Sequence, residues 1–429
     1  MSIDQNLVTL TAVLRNGRLS LFDYLDQLEA YFSQREPDVL AFVPEKNRFA
    51  RLRRDAQTLL DQYPNPDSRP PLFGVPIGVK DIFHTDGFVT QAGTQVPNHL
   101  LQGEEATSVA QLKAAGALIM GKTVTTEFAY FAPGPTRNPQ APAHTPGGSS
   151  SGSAAAVGAG LVPFAFGTQT IGSINRPGAY CGAVGYKPSY ERISRAGVIP
   201  LSPSVDHIGF FTSDVASAEL AASLLVDKWQ PTTDLKQPVL GIPEGPYLEK
   251  ATAEGIAHFR TTCDKLAAAG FVVKSVPAMS DFEAIYLRHN QIVAADAAQV
   301  HANWFAEHSA AYHWKTADLI QRGQQIGAEV LEEALNGRFV LRQQLASLMQ
   351  THNIDLWLSP PAQGTAPKGL DSTGDPIMNL PWTHAGVPSL NVPVSTNDEG
   401  LPMGLQLAAA WQTDEALFSW GKQIEMALS

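Results

Sequence analysis

An α/β fold is what this sequence predicts, with a largely parallel or mixed sheet and helices on its faces. Two repeats of one local pattern and a set of short apolar runs carry that prediction. EATSVAQLKAAG has apolar residues at helical spacing and closes on Gly116, and the apolar run ALIMGKT follows at once. EGIAHFRTTCDKLAAAG closes on Gly270 in the same way and leads into FVVKSVP. A glycine just past the last periodic residue ends a helix, because it enters the left-handed region without a steric penalty. Helices that feed directly into buried strands argue for helices packed on a sheet. VLGIP (239–243), DLWLSPP (355–361) and PSLNVPV (388–394) supply further strands.

The remaining elements follow in chain order. Residues 3–62 have apolar positions three and four apart and predict helices, punctuated by Gly17 and Pro37. YPNPDSRPP (63–71) is a proline-rich connector, and LFGVPIGVKDIF after it is an apolar run suited to a buried strand. Residues 281–350 predict a mainly helical region with two long segments, around AAQVHANWFAEHS and IGAEVLEEALNGRFVLRQQLASLMQ. The organisation expected is an N-terminal helical segment (1–66) packing on a single domain (67–429). Within that domain, 281–350 forms a helical cover that shapes the substrate site.

Composition excludes several function classes. The 429-residue chain is 44% hydrophobic and only 17% charged, ample for a large buried core. A net charge of -11 without a Lys/Arg run argues against a nucleic-acid or membrane surface. The uncharged stretch from Asn138 to Asn175 is broken by Pro, Gly and Ser, so it does not read as a membrane span. Cys181 and Cys263 read as unpaired thiols of a reducing compartment. The start, MSIDQNLVTL, lacks the basic and apolar regions of a secretion signal. The expectation is a soluble, cytoplasmic protein.

The chemistry concentrates in TPGGSSSGSAAAVGAG and LVPFAFGTQTIGSINRPGAYCGAVGYKP. Ser149 and Ser173 sit on glycine-flanked turns 24 residues apart, with no charged residue between them. Upstream, Lys80 stands in the apolar run GVPIGVKD. Glycine-rich turns can aim backbone N–H groups at an anion. Serine needs a base to become a nucleophile, and a lysine kept from water can lose its charge and serve as one. These three parts together describe an acyl-transfer site. Asp81 is an obvious salt-bridge partner for Lys80, but successive strand residues point to opposite faces, which turns Asp81 away. Ser149 alone could cap a helix starting near Gly152, a task that Ser150 and Ser151 can also perform.

The blocks GVPIGVKD, GKTVTTEFA, TRNP, TPGGSSSGSAAAV, GTQTIGS, CGAVGYKPS, ISRAGVIPLSPSVDHIGF and GVPSLNVPV…GLPMGLQLAA together resemble the amidase signature family. The match runs in order from about residue 20 to the end. The resemblance implies a large mixed, twisted sheet sandwiched between helices. It also implies a Ser–cis-Ser–Lys triad, with Ser173 as nucleophile, Ser149 as the middle serine after a non-proline cis peptide, and Lys80 as base. The oxyanion would rest on the backbone N–H groups of Thr170, Ile171, Gly172 and Ser173. No metal and no organic cofactor is implied. The chain departs from the family pattern at Gln169, where Asp is usual, and at Ile171, where Gly is usual. The arginine that usually follows the nucleophile by two residues is shifted to Arg176, behind Asn175. Ile171 is expected to narrow the site.

The activity expected is hydrolysis of a small, neutral, apolar or aromatic amide, with carbamates (a urethanase-like activity) and esters within the same chemistry. The enzyme would work as a monomer or homodimer. Phe128, Tyr130, Phe131, Ile171 and Trp382 are the candidate substrate-binding residues. The alternatives are the A subunit of a tRNA-dependent amidotransferase, acting as a glutaminase, and a non-catalytic scaffold member. Two motifs are decoys. GALIMGKT fits a phosphate-loop pattern, but its middle residues favour a strand. GSSSG fits a nucleophile elbow centred on Ser150, but a proline-broken coil precedes it instead of a strand. His301 and His308 lack metal-ligand spacing. Lys187, Arg195 and Asp206 read as scaffold residues.

Overall fold

The computed structural model describes residues 6–232 and 235–429. One mixed sheet organises them. Its strands are β1 (Pro76–Lys80), β2 (Leu118–Thr123), β3 (Phe164–Gln169), β4 (Val184–Lys187), β5 (His207–Thr212), β6 (Leu240–Glu244), β7 (Val273–Pro277), β8 (Leu356–Ser359), β9 (Ser389–Thr396) and β10 (Pro402–Ala408). Their spatial order is β2-β1-β3-β5-β4-β9-β10-β8-β6-β7. β1 runs parallel to both β2 and β3, and β6 runs parallel to β7 and β8. The strands between these groups pair antiparallel. Every residue of β1 through β5 is buried. Because side chains alternate between faces, such burial requires cover on both sides of the sheet.

The two helix-to-strand units form as predicted, at Thr107–Ala114 before β2 and Ala253–Ala268 before β7. Both end in the same arrangement. Gly116 (φ +91°) and Gly270 (φ +95°) take the left-handed region, and each donates back to a carbonyl of the last turn. β3, β4, β5 and β10 lie outside the strands that the sequence predicts. They are short apolar runs, in three cases beside or inside glycine-rich motifs, where no periodicity distinguishes strand from turn. Their partners are distant in sequence. Phe166, for instance, is opposite Phe210.

The N-terminal residues form helices Leu7–Arg15, Leu21–Val39 and Arg48–Gln62. Pro37 does not break its helix, which passes through it and stops at Leu40, a left-handed residue (φ 54°). Leu7, Leu25 and Leu52 belong to the same buried cluster as Phe166 and Leu390 of the sheet. Arg48 and Arg51 donate to the Met120 carbonyl on β2. In the region 281–350 the first predicted long segment is divided at His301 into Phe282–Val300 and Ala302–His308, and the second is the 25-residue helix Ala328–His352. Cys181 and Cys263 are buried and unpaired. Among the described residues no helix is long and apolar enough to cross a membrane.

One shared core makes a stability prediction. Leu25→Ala should destabilise the chain by about 2–5 kcal/mol. Denaturant unfolding followed by fluorescence should show one transition moved to lower denaturant. A separate early transition would mean that the N-terminal helices fold apart from the sheet.

Candidate active site

Lys80 is the last residue of β1, at the carboxyl edge of the parallel part of the sheet. That edge is where open α/β sheets place ligand sites. The side chain is fully buried. Its Nζ lies 2.7 Å from Ser149 Oγ, 3.0 Å from Ser150 Oγ and 2.7 Å from Thr168 Oγ1. No carboxylate lies within ion-pair distance of it among the described residues. Burial therefore pushes the amine well below its ordinary pKa of 10.5, opposed only by the more distant charge of Asp206.

Asp81 faces the other way, as strand alternation predicts, and pairs with Lys122 Nζ at 3.0 Å. Lys122 is thereby occupied on β2, where GALIMGKT forms a strand. The Gly148–Ser149 peptide is cis, as the sequence resemblance implied. None of the three serines caps the helix Ser151–Gly158 with its side chain. Ser150 Oγ instead donates to the Thr168 carbonyl and accepts from the Thr168 N–H, while Ser151 Oγ donates to Val124 O. Ser150 and Thr168 are thus members of the lysine's hydroxyl shell that sequence reading missed. Thr168 reaches it only because β3 lies beside β1.

Ser173 sits in the turn between β3 and the helix Asn175–Cys181 and is 8% exposed. Three consecutive carbonyls of this turn are held by other groups. His289 Nε2 donates to Thr170 O at 3.0 Å, Thr383 Oγ1 donates to Ile171 O at 2.7 Å, and the Arg176 N–H donates to Gly172 O at 3.2 Å. In a trans peptide the N–H points opposite to the C=O. Fixing those carbonyls therefore aims the N–H groups of Ile171, Gly172 and Ser173 the other way. None of these three N–H groups has a protein acceptor among the described residues. Burial lowers His289 to about 3, so its ring is neutral and Nε2 carries the donated proton. Gly172 is needed for close approach, since a Cβ there would stand 2.3 Å from Asn379 Oδ1.

Arg176 ties the two serine turns together. Its Nη2 donates to Gly148 O at 2.7 Å and its Nη1 to Gly374 O at 2.8 Å. Pro177, the next residue, packs against Gly147, where a Cβ would meet it at 2.9 Å.

A cavity of about 230 Å³ opens beside Thr168 and Thr170. Ile82, Ala129, Val198, Ile199, Leu201 and Ile208 give it apolar walls, and Arg195 and Asp206 also line it. Asp206 accepts from Thr170 Oγ1 at 2.5 Å and from the N–H groups of Leu201 and Ser202. Burial raises it to about 6. It serves as the turn residue the sequence suggested, and Arg195 pairs with Glu191 at 3.4 Å. Lys187 is buried and lowered to about 7, but its amine donates to two carbonyls, Val387 O and Pro188 O, and to no hydroxyl among the described residues.

The predicted substrate-binding residues separate into two groups. Phe128 does not line the cavity. It is 1% exposed and enclosed by His301, Trp304 and Tyr312. Trp382 is likewise core, fully buried against Trp357 with its indole N–H on Tyr247 Oη. Ile171 is not among the residues that line the cavity, and it belongs to the main buried cluster, which also contains the cavity-lining Ile82 and Leu201. Phe128 and Trp382 are large rings, for which burial in a core is the common outcome. Tyr130 and Phe131 line a second recess of about 290 Å³ with Trp314, Lys315, Asp318 and Thr373. Thr373 touches the serine turn, lying 2.7 Å from where a Cβ on Gly148 would be.

Comparison with known proteins extends this geometry. The amidase family model matches residues 46–418. The A subunit of glutamyl-tRNA(Gln) amidotransferase from Synechococcus sp. (strain RCC307) is 31% identical, covering 96% of this chain and 95% of that protein. The protein of the same name from Geobacillus stearothermophilus is 30% identical, with 99% and 97% covered. Among solved structures, an amidase superposes with a TM-score of 0.90 at 29% identity over 99% of this chain and 100% of that one. A protein from a vestigial complex bearing on the origins of an s-triazine catabolic enzyme gives 0.87 at 25% identity, with 98% of each chain covered.

Removing the two buried lysines should cost the fold unequal amounts. Lys122→Met strands the Asp81 carboxylate and should cost about 3–5 kcal/mol. Lys80→Met leaves only hydroxyls behind and should lower the melting temperature far less. Thermal unfolding of both variants at pH 7 checks the contrast; equal losses would mean that Lys80 is charged and paired in the fold.

Proposed function

Because the chain belongs to the amidase family, we propose that it hydrolyses an amide C–N bond through an acyl-enzyme on Ser173, with Ser149 and Lys80 relaying the proton. The single observation that carries this reading is the Lys80 amine held among three hydroxyls without a carboxylate. A neutral amine has two N–H bonds and one lone pair. Ser150 has committed its own proton to Thr168 O, so it accepts from Lys80. Thr168 Oγ1 takes the second N–H. The lone pair is then left for the Ser149 proton. A Ser149 oxygen that donates to the amine can accept the proton of Ser173.

The steps follow in order. Ser173 Oγ bonds to the amide carbon as its proton passes to Ser149 and that of Ser149 to Lys80. The carbonyl oxygen becomes an oxyanion, for which the free N–H groups of Ile171, Gly172 and Ser173 are the candidate donors. The C–N bond breaks as the relay returns a proton to the departing amine. Water, deprotonated by the same relay, releases the acid and restores Ser173.

The substrate has two readings. The apolar walls of the cavity beside Thr168 and Thr170, which Lys80, Ser149 and Ser173 do not line, support a neutral, apolar or aromatic amide, with carbamates and esters as related substrates. The full-length relatives support the other reading more strongly: a glutaminase working as the A subunit of an amidotransferase. On sequence alone, Gln169 and Arg176 rank that reading lower. Both residues have places in this site that keep the serine turns in position, so neither counts against it. Release of ammonia from glutamine, and arylamine from neutral anilides, by the purified chain with and without candidate partner proteins separates the two. Glutaminase activity that appears only with partners favours the amidotransferase reading; anilide hydrolysis by the chain alone favours the free-standing enzyme.

Ser173→Ala should abolish labelling by a fluorophosphonate and all turnover. Lys80→Ala should slow labelling by about 10²–10⁴-fold. Only the neutral amine accepts a proton, so the wild-type rate should rise with pH through the folded-state pKa of Lys80. Burial holds that value well below 10.5, so the plateau should be reached below that pH. Labelling-rate profiles of wild type and Lys80→Ala test this; a flat wild-type profile, or full activity in the variant, refutes the relay.

A further inference from the structure

We propose that Gln169 and Thr383 form a hydrogen-bond relay that holds the Ile171 carbonyl and so sets the direction of the Gly172 N–H, making both positioning residues for the reaction. The inference rests on the acyl-enzyme reading above and goes beyond it. It assigns a task to Gln169, one of the residues at which this chain departs from the family pattern.

The Gln169 side chain is fully buried and uses both ends. Its Oε1 accepts from the N–H groups of Ile174 (2.8 Å) and Asn175 (3.0 Å), fixing the far side of the Ser173 turn. Its Nε2 donates to Thr383 Oγ1 at 2.9 Å. A hydroxyl that accepts on one side must send its single proton elsewhere. Thr383 has two carbonyls in range among the described residues, Ile171 O at 2.7 Å and, at 3.2 Å, O of Asn379, the residue just before its own helix. The shorter bond goes to Ile171.

An aspartate at 169 could accept from the turn but has no N–H to give. Nothing would then supply the amide donor to Thr383, and the hydroxyl could turn its proton to the carboxylate. Glutamine therefore does two things at once: it closes the turn after the nucleophile, and it orients the hydroxyl that clamps the turn before it. Thr383 lies on the short helix Leu380–Ala385, 214 residues along the chain from Gln169. The relay so couples the serine turn to a C-terminal element.

The test uses the purified full chain, a fluorophosphonate to report Ser173 reactivity, and a p-nitrophenyl ester to report kcat and KM separately. Thr383→Val keeps the volume and removes the hydroxyl. It should slow labelling by about 10–100-fold, the loss expected when a reacting group's surroundings shift by a fraction of an ångström to an ångström. The loss should fall on kcat, with KM little changed. Thr383→Ser restores the hydroxyl and should restore the rate. Gln169→Glu keeps the acceptor, removes the donor and should slow labelling like Thr383→Val. The double variant should be no slower than either single, because both cut one relay.

Rescue by serine and non-additivity are results that a merely structural role would not produce. Wild-type rates in Thr383→Val or Gln169→Glu, or losses that multiply in the double variant, overturn the relay while leaving the triad standing. Should Thr383→Val fail to fold, Gln169→Glu against Thr383→Ser decides alone. No labelling of the wild type at all refutes the acyl-enzyme reading instead.

Discussion

Withdrawal of one amine from water, without giving it a counter-ion, is the constraint around which this molecule is built. A lysine buried alone is costly unless it sheds its proton, and among the described residues the hydrogen-bond partners of the Lys80 amine are all hydroxyls. The sheet makes this possible through simple alternation. Lys80 and Asp81 are adjacent in sequence, yet the chain turns them to opposite sides, and β2 supplies Lys122 to satisfy the carboxylate. Two basic and one acidic side chain thus sort into a neutralised pair and an unpaired base. Had Asp81 faced Lys80, the amine would have stayed charged and no proton relay could begin there.

The second requirement is direction. Hydrogen-bond donors in a turn help a reaction only if their N–H groups share a heading, and a flexible loop does not guarantee that. Here the heading is imposed from behind, by clamping carbonyls with groups from three separate parts of the chain: His289, Thr383 and Arg176. His289 comes from the helical region 281–350, which gives that region a structural connection to the serine turn. Because the clamps are neutral or belong to the backbone, they add no charge beside the amine. Arg176, which clamps with its backbone N–H, keeps its guanidinium on the Gly148 and Gly374 carbonyls.

Much of this is legible in the sequence where local physics decides. Gly116 and Gly270 end their helices for a steric reason any chain obeys. The opposite facing of Lys80 and Asp81 follows from the two-residue period of a strand. What is not legible depends on which distant segments become neighbours. Thr168 and Ser150 belong to the lysine's shell only because β3 lies beside β1 and the serine turn lies over both. β4, only four residues long, is too short to announce itself. Phe128 and Trp382 suggest a ligand site by being aromatic and near motifs, but large rings are as useful to a core as to a ligand. Their partners, such as Tyr247, Tyr312 and Trp304, lie far along the chain or outside the motifs.

Departures from a family pattern are commonly read as weakened function, and Gln169 and Ile171 invite that reading. The geometry argues otherwise. Ile171 replaces a residue without a side chain, so its Cβ branch has to go somewhere. It goes into the core, leaving its carbonyl and the following N–H in the turn. That burial anchors the turn by its side chain, which a glycine could not do, and removes the backbone freedom a glycine would bring. Gln169 adds the donor that an aspartate lacks. The two changes thus act on the same peptide unit from opposite ends, one by packing and one by hydrogen bonding. They are better understood as a paired solution to holding that unit than as two independent losses.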